Sequence, residues 1–282
     1  MKFKNSGAEI FVPDNKPVEE AIKRTTHMAV SAHQDDIEIM AFDGILKCFG
    51  QSDKWFFGVV STNGAGSPRD DIYAGYTDEE MMKIRKVEQK KAAYVGEYAA
   101  VALLDYTSAQ VKDSSNKDVV NELKELIKLA RPEVIYTHNL ADKHDTHVSV
   151  ALRVIQALRE LPEEYHPQKI YGCEVWRSLD WVNDDEKVYF DVAGHTNIAA
   201  AVLEVYDSQI CGGKRYDLAT AGRRLANATY AESHGTDTTS SMIYGMDLTP
   251  LIKDKNLDIG EYVKGYMDRF SNNVISKIKK FS

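Results

Sequence analysis

Met28-Ala29-Val30-Ser31-Ala32, followed without a break by His33-Gln34-Asp35-Asp36-Ile37-Glu38, is the stretch on which the reading of this chain turns. A short apolar run of this length suits a buried strand. The residues after it, Ile37, Met40, Ala41, Ile45 and Leu46, recur at helical spacing. One imidazole and two adjacent carboxylates therefore sit at a strand-to-helix turn, where they can face one cavity. Imidazole nitrogen and carboxylate oxygen both suit a divalent metal, and two neighbouring Asp side chains do not comfortably hold one ion. A plainer reading is open at this point: Asp35 or Asp36 caps the helix and Glu38 complements its dipole.

The same alternation continues outward. Trp55–Val60 reads as a second strand ending in the loop Thr62-Asn63-Gly64-Ala65-Gly66-Ser67-Pro68. Thr77 with Glu80 forms a capping box that opens a helix reaching Gly96. Val101–Leu104 is a third strand, Val119–Leu129 a helix and Val134–Tyr136 a fourth strand. A helix with Val148, Ala151, Leu152, Ile155 and Leu158 on one face comes next. Strand-like runs follow near Ile170 and Val188, and the remainder reads mostly helical. This order predicts an α/β fold, Rossmann-like, with a mainly parallel sheet covered by helices on both faces and a helical C-terminal part. The expected organisation is a single domain over 1–282, with a core at about 26–176 and a mostly helical extension after about 195. Ligands of such sheets bind beyond the carboxyl ends of the strands.

The second cluster lies at such an end. His138 is followed by Asp142-Lys143-His144-Asp145-Thr146-His147, so three of the chain's 8 histidines fall within ten residues. His144 and His147 share one side of a first helical turn. Here too a plainer reading exists, with Asp145 or Thr146 as the helix cap. Catalytic zinc takes three protein ligands and leaves one position open. His33, Asp36 and His147 supply such a set, leaving Asp35 and His144 as general base and acid.

The composition narrows the function classes. With 35 Lys/Arg against 43 Asp/Glu the net charge is −8, which argues against a nucleic-acid partner. Cys48, Cys173 and Cys211 are far apart and form no CxxC pair, as expected of isolated thiols in a reducing compartment. No window approaches a membrane span and the N-terminus lacks a signal-peptide run, so a cytoplasmic location is expected. Thr62–Gly66 lacks the spacing and lysine of a phosphate loop.

His33-Gln34-Asp35-Asp36-Ile37-Glu38 resembles the H-P-D-D-x-E signature of the zinc-dependent de-N-acetylase family that includes the PIG-L and LmbE-like proteins, and His144-Asp145-Thr146-His147 resembles its H-P-D-H signature. Arg85-x-x-Glu88 with Ala92 and Gly96 is similar to the family's R-x-x-E helix, and Thr62–Gly66 to its Gly-rich loop. The match runs from about Thr26 to Trp176, with weaker echoes at Asp207-Ser208-Gln209 and Tyr230-Ala231-Glu232. The resemblance implies hydrolysis of an N-acetyl group, often on N-acetylglucosamine. It also implies His33, Asp36 and His147 as ligands of Zn²⁺ (or of Fe²⁺ or another divalent ion), Asp35 as base, and His144 as acid or oxyanion stabiliser. The expected partner is a small acetamido-sugar or its conjugate, with homo-oligomerisation open.

Two residues depart from the family pattern. Gln34 stands for Pro, and Thr146 for the Asp that orients the His acid, so Asp142 is the expected partner of His144 while Asp145 caps the helix. Arg85, Asn63 and Asp142 are candidate substrate contacts. Arg85 could equally pair with Glu88, and Asn63 could simply form a turn. Trp176, Trp181 and His234 are weaker pocket candidates. Two rivals stand beside the deacetylase: a metal hydrolase of another amide or ester, and a non-catalytic zinc- or sugar-binding relative.

Overall fold

A computed structural model describes residues 2–282. Its centre is one eight-stranded sheet. The strands are β1 (Glu9–Phe11), β2 (His27–Ser31), β3 (Phe56–Thr62), β4 (Ala100–Tyr106), β5 (Val134–His138), β6 (Lys169–Cys173), β7 (Val188–Asp191) and β8 (Met242–Asp247). Their spatial order is β1-β4-β3-β2-β5-β6-β8-β7. The five central strands are parallel, while β1, β8 and β7 are antiparallel to their neighbours. The sheet is thus the centrally parallel one that the βα alternation predicts, with helices on both faces.

The strands are buried on both sides because their side chains are apolar in both registers. On β2, Met28 and Val30 join one core cluster and Ala29 the other. The helix that opens at Thr77 forms as its capping box dictates, over Asp78–Val95. The Glu80 N–H donates to Thr77 Oγ1 at 3.2 Å, and the Thr77 N–H to Glu80 Oε2 at 2.8 Å.

Three elements differ from the sequence reading. The helix after β2 is two helices, Asp36–Met40 and Phe42–Cys48, broken at Ala41. The three-residue edge strand β1 is too short to show alternation. β8 was expected within the helical remainder, yet it enters the sheet between β6 and β7. Its sequence, Met-Ile-Tyr-Gly-Met-Asp, is apolar on both faces and carries no alternating pattern.

The topology positions the site. From β2 the chain winds through β3 and β4 to one side, then returns to β5 and β6 on the other. β2 and β5 are neighbours, so the loops leaving their carboxyl ends open a crevice at the point where the winding reverses. Those two loops carry the His33–Glu38 and His138–His147 clusters. Among the described residues no helix is long and apolar enough to cross a membrane.

Candidate active site

Asp35 adopts φ +88°, a left-handed conformation unusual for a residue with a side chain. That turn separates the two carboxylates. Asp36 folds back, its Oδ2 accepting the His33 N–H at 2.7 Å, whereas Asp35 Oδ2 takes a 3.0 Å ion pair from Arg85. Asp35 makes no capping hydrogen bond, while Glu38 does lie in the first turn of the helix. Glu38 is buried and accepts from Tyr98 at 2.7 Å, Tyr206 at 2.7 Å and Gln89 at 2.9 Å, and burial pushes its carboxyl up to about 7.

Arg85 is itself fully buried. It also donates to the Gln34 carbonyl and approaches Glu88 Oε2 at 3.7 Å, so the expected pair with Glu88 is present alongside an unexpected one with Asp35. Glu88 in turn accepts both the Ser208 N–H and its hydroxyl at 2.7 Å, which gives the Asp207-Ser208-Gln209 echo a physical role. Gln34 donates to the Thr62 carbonyl at 3.0 Å and so ties the His33 loop to the end of β3. Gly64, at φ +75°, leaves room for this: a Cβ there would stand 2.6 Å from Gln34 Oε1.

His33 Nδ1, Asp36 Oδ2 and His147 Nε2 form a triangle with edges of 3.2, 3.3 and 3.4 Å. An ion about 2.0–2.1 Å from N and O donors in tetrahedral geometry needs its ligands roughly 3.3–3.4 Å apart. The donor set and its spacing fit a zinc-sized divalent cation. Ring nitrogens of His33, His144 and His147 lie within 4.8 Å of one another, as do the donor atoms of Asp36, His138 and His147. The Nε2 of His138 is already engaged, accepting the Ala32 N–H at 2.9 Å.

His138 is the residue the sequence left without a role. Wholly buried at the end of β5, its ring stacks on that of His147 with centroids 3.9 Å apart, fixing the plane of the latter. Burial and the neighbouring His147 hold its pKa well below the ordinary histidine value. Burial opposes charge on Asp36 as well, but His147 and His138 outweigh it and keep the carboxylate ionised. For His147, burial is outweighed by Asp36 and Asp142, and its pKa rises. Burial raises Asp35 to about 6, against the pull of Arg85 and with the help of Asp36.

The second loop corrects two expectations. The cap of helix Asp145–Glu160 is His144, whose Nδ1 accepts the Thr146 N–H at 3.3 Å; neither Asp145 nor Thr146 caps it. Asp142 does not orient the His144 ring either. Its Oδ1 accepts the His144 backbone N–H at 2.9 Å and faces His147 Nδ1 at 3.4 Å, while Oδ2 accepts the N–H groups of Trp176 at 3.0 Å and Arg177 at 3.3 Å. Since Nδ1 of His144 is an acceptor, its proton resides on Nε2. Burial, with His147 and His33 nearby, lowers this histidine to about 4. The His144 ring is therefore neutral with an N–H on Nε2, which suits the oxyanion stabiliser better than the acid of the two expected roles.

A cavity of about 470 Å³ opens over this cluster, with His33, Asp35, Asp36, Arg85 and His144 in its wall. Asn63 and Trp176 line it too, and Asn63 Oδ1 accepts the Ala65 N–H at 3.2 Å, the contact expected of a turn. Asp142, Trp181 and His234 are absent from the lining; Trp181 packs on the core and His234 is exposed.

The model of the family described as PIG-L, GlcNAc-PI de-N-acetylase, matches residues 28–158. No curated protein sequence matches the chain. Among solved structures, the chain is similar to N,N'-diacetylchitobiose deacetylase from Pyrococcus horikoshii, with TM-score 0.64, 13% identity, and coverage of 82% of this chain and 86% of that one. It is similar to the 4-carboxy-2-hydroxymuconate hydratase from Pseudomonas putida KT2440, with TM-score 0.62, 16% identity, and coverage of 79% and 95%. A teicoplanin deacetylase in its zinc-inhibited form follows at TM-score 0.56, 13% identity, and coverage of 78% and 97%. At these identities the likeness shows a shared fold, one that hosts a hydratase as well as deacetylases. The family match spans both motif loops and everything between them, so over residues 28–158 the chain is similar to the PIG-L family.

Proposed function

We propose that the protein is a metal-dependent hydrolase that removes the N-acetyl group of an acetamido-sugar. The observation that carries this reading is the triangle of His33, Asp36 and His147 beside a carboxylate, Asp35, that is held apart from it by Arg85. The family matched by residues 28–158 and the deacetylases that share the fold support the same chemistry.

His33, Asp36 and His147 would hold a divalent cation, which would supply a Lewis acid and lower the pKa of water toward neutrality. The chain's own residues do the rest. Arg85 fixes one oxygen of Asp35, so the carboxylate is aimed before substrate arrives. Asp35 takes a proton from the attacking water and returns it to the departing nitrogen. The water oxygen bonds to the acyl carbon, the C–N bond breaks, and acetate and a free amine leave. The Nε2–H of His144 donates to the developing oxyanion, a role that needs no charge on the ring. Trp176 offers an aromatic face on the cavity wall for a sugar ring.

The test is acetate release from a panel of acetamido-sugars and their conjugates, with simple acetate esters in parallel. Asp35→Asn keeps the size of the side chain and removes its basicity, so kcat is expected to fall about 10²–10⁴-fold with the metal retained. Preference for esters over every acetamide would move the protein to the rival hydrolase class. Binding of the sugars without turnover would make it a non-catalytic relative.

A further inference from the structure

Helix Ile259–Phe281 is only half used by its own fold. Val263 and Tyr266 are buried, whereas every residue from Met267 onward is exposed. The exposed half is nevertheless apolar on one side: Met267, Phe270, Val274, Ile278 and Phe281 are 39% to 80% exposed. These positions follow one another in steps of three and four, and the same steps run back to Val263 and Ile259. They form a single stripe of the kind that packs against another helix.

The base of the stripe borders an open groove of about 380 Å³, shared with Leu140, Val148 and Leu152 of the neighbouring helix and the loop before it. One molecule thus carries an apolar arm and an apolar groove along the same helix face. Charge is divided along the helix in the same way. Asp258, Glu261 and Asp268 against one Lys264 make its first half acidic. Arg269, Lys277, Lys279 and Lys280, with no carboxylate side chain among 269–281, make the second half basic.

We propose that a second copy of this chain occupies the groove, through antiparallel pairing of the two helices about a two-fold axis near Phe270. In that register Phe281 meets the partner's Ile259 at the groove, Ile278 meets the partner's Tyr262, and Lys279 meets the partner's Glu261. The contact is isologous, so each arm fills the other molecule's groove and the acidic half of each helix faces the basic half of the other. A parallel pairing would set like charges together. Leu140 and Val148 flank the segment that bears Asp142, His144 and His147, so the partner's arm closes over the outer side of that loop.

The experiment is sedimentation equilibrium of the full chain at micromolar concentration. A dimer is expected, with Ile278→Asp raising its dissociation constant by at least about tenfold, as for a buried anchor. Both residues of the proposed ion pair are exposed, so charge reversal leaves the fold intact. Glu261→Lys and Lys279→Glu should each weaken the dimer, and the double variant should restore it. A monomeric wild type, an Ile278→Asp variant that dimerises as the wild type does, or single reversals without rescue in the double would each overturn the proposal. A monomer that binds anionic phospholipid vesicles through Phe281 would assign the arm to a membrane surface instead.

Discussion

Asp142 Oδ1 stands 3.4 Å from His147 Nδ1, on the side of that ring opposite the nitrogen that faces His33 and Asp36. The carboxylate is held there by three backbone N–H groups, from His144, Trp176 and Arg177, and they and His147 keep it ionised at about 2 although burial opposes this. A carboxylate behind a ligating imidazole fixes its tautomer and orientation and raises its basicity.

The expected consequence of Asp142→Asn is a loss of metal affinity rather than of the acid–base step. Removing such a partner costs about 10–100-fold in affinity. Competition with a chromophoric zinc chelator measures it directly. Unchanged affinity would show that His147 needs no help from Asp142.

Because the His144 ring is pinned by the Thr146 N–H and carries its proton on Nε2, the contribution proposed for it is a hydrogen bond donated without charge. His144→Ala should lower kcat by about 10²–10³-fold, the usual cost of one oxyanion donor. His144→Gln, which offers an amide N–H, should recover part of that loss with KM little changed. If the Gln variant is as inactive as the Ala variant, donation alone does not account for His144.

His27 provides a prediction about stability far from the chemistry. It is buried at the start of β2, with its Nδ1 3.0 Å from Thr26 Oγ1. Burial, and then the nearby Lys47, depress it from 6.5 to about 4. Between those two values the unfolded chain binds a proton that the folded chain refuses, so stability is complete above pH 6.5 and falls as pH drops toward 4. At about 1.4 kcal/mol per unit, the loss is on the order of 3 kcal/mol. Urea unfolding of wild type and His27→Gln across this range should show a shallower pH slope in the variant; parallel slopes would remove His27 from the account.

The sequence made the central fold readable because β2, β3, β4 and β5 are short apolar runs separated by helices with legible caps, Thr77 and Glu80 above all. On the sheet's far side the runs near Ile170 and Val188 were readable as strands, but the strand that lies between them was not. β8 owes its place to packing between β6 and β7, and Gly245, whose Cβ would stand 2.6 Å from Phe190, is a requirement of that contact. The site divides in the same way. That His33, Asp35, Asp36, His144 and His147 come together was legible from residue type and from their position at strand ends. Asp142 was assigned to the wrong histidine because alternation along a loop does not foresee which backbone amides will hold a carboxylate. Arg85 was legible as half of an i,i+3 pair, but its contact with Asp35 depends on how helix Asp78–Val95 lies across the sheet. His138 ends a strand, and only the stacking of β5 against the following helix shows what it does.

The most direct check on the whole account is acetate release, followed by proton NMR, from an acetamido-sugar substrate by metal-stripped protein before and after one equivalent of Zn²⁺. The account predicts no acetate from the stripped protein and turnover once the ion is restored. Equal release in both states, or none in either across the whole substrate panel, would contradict it.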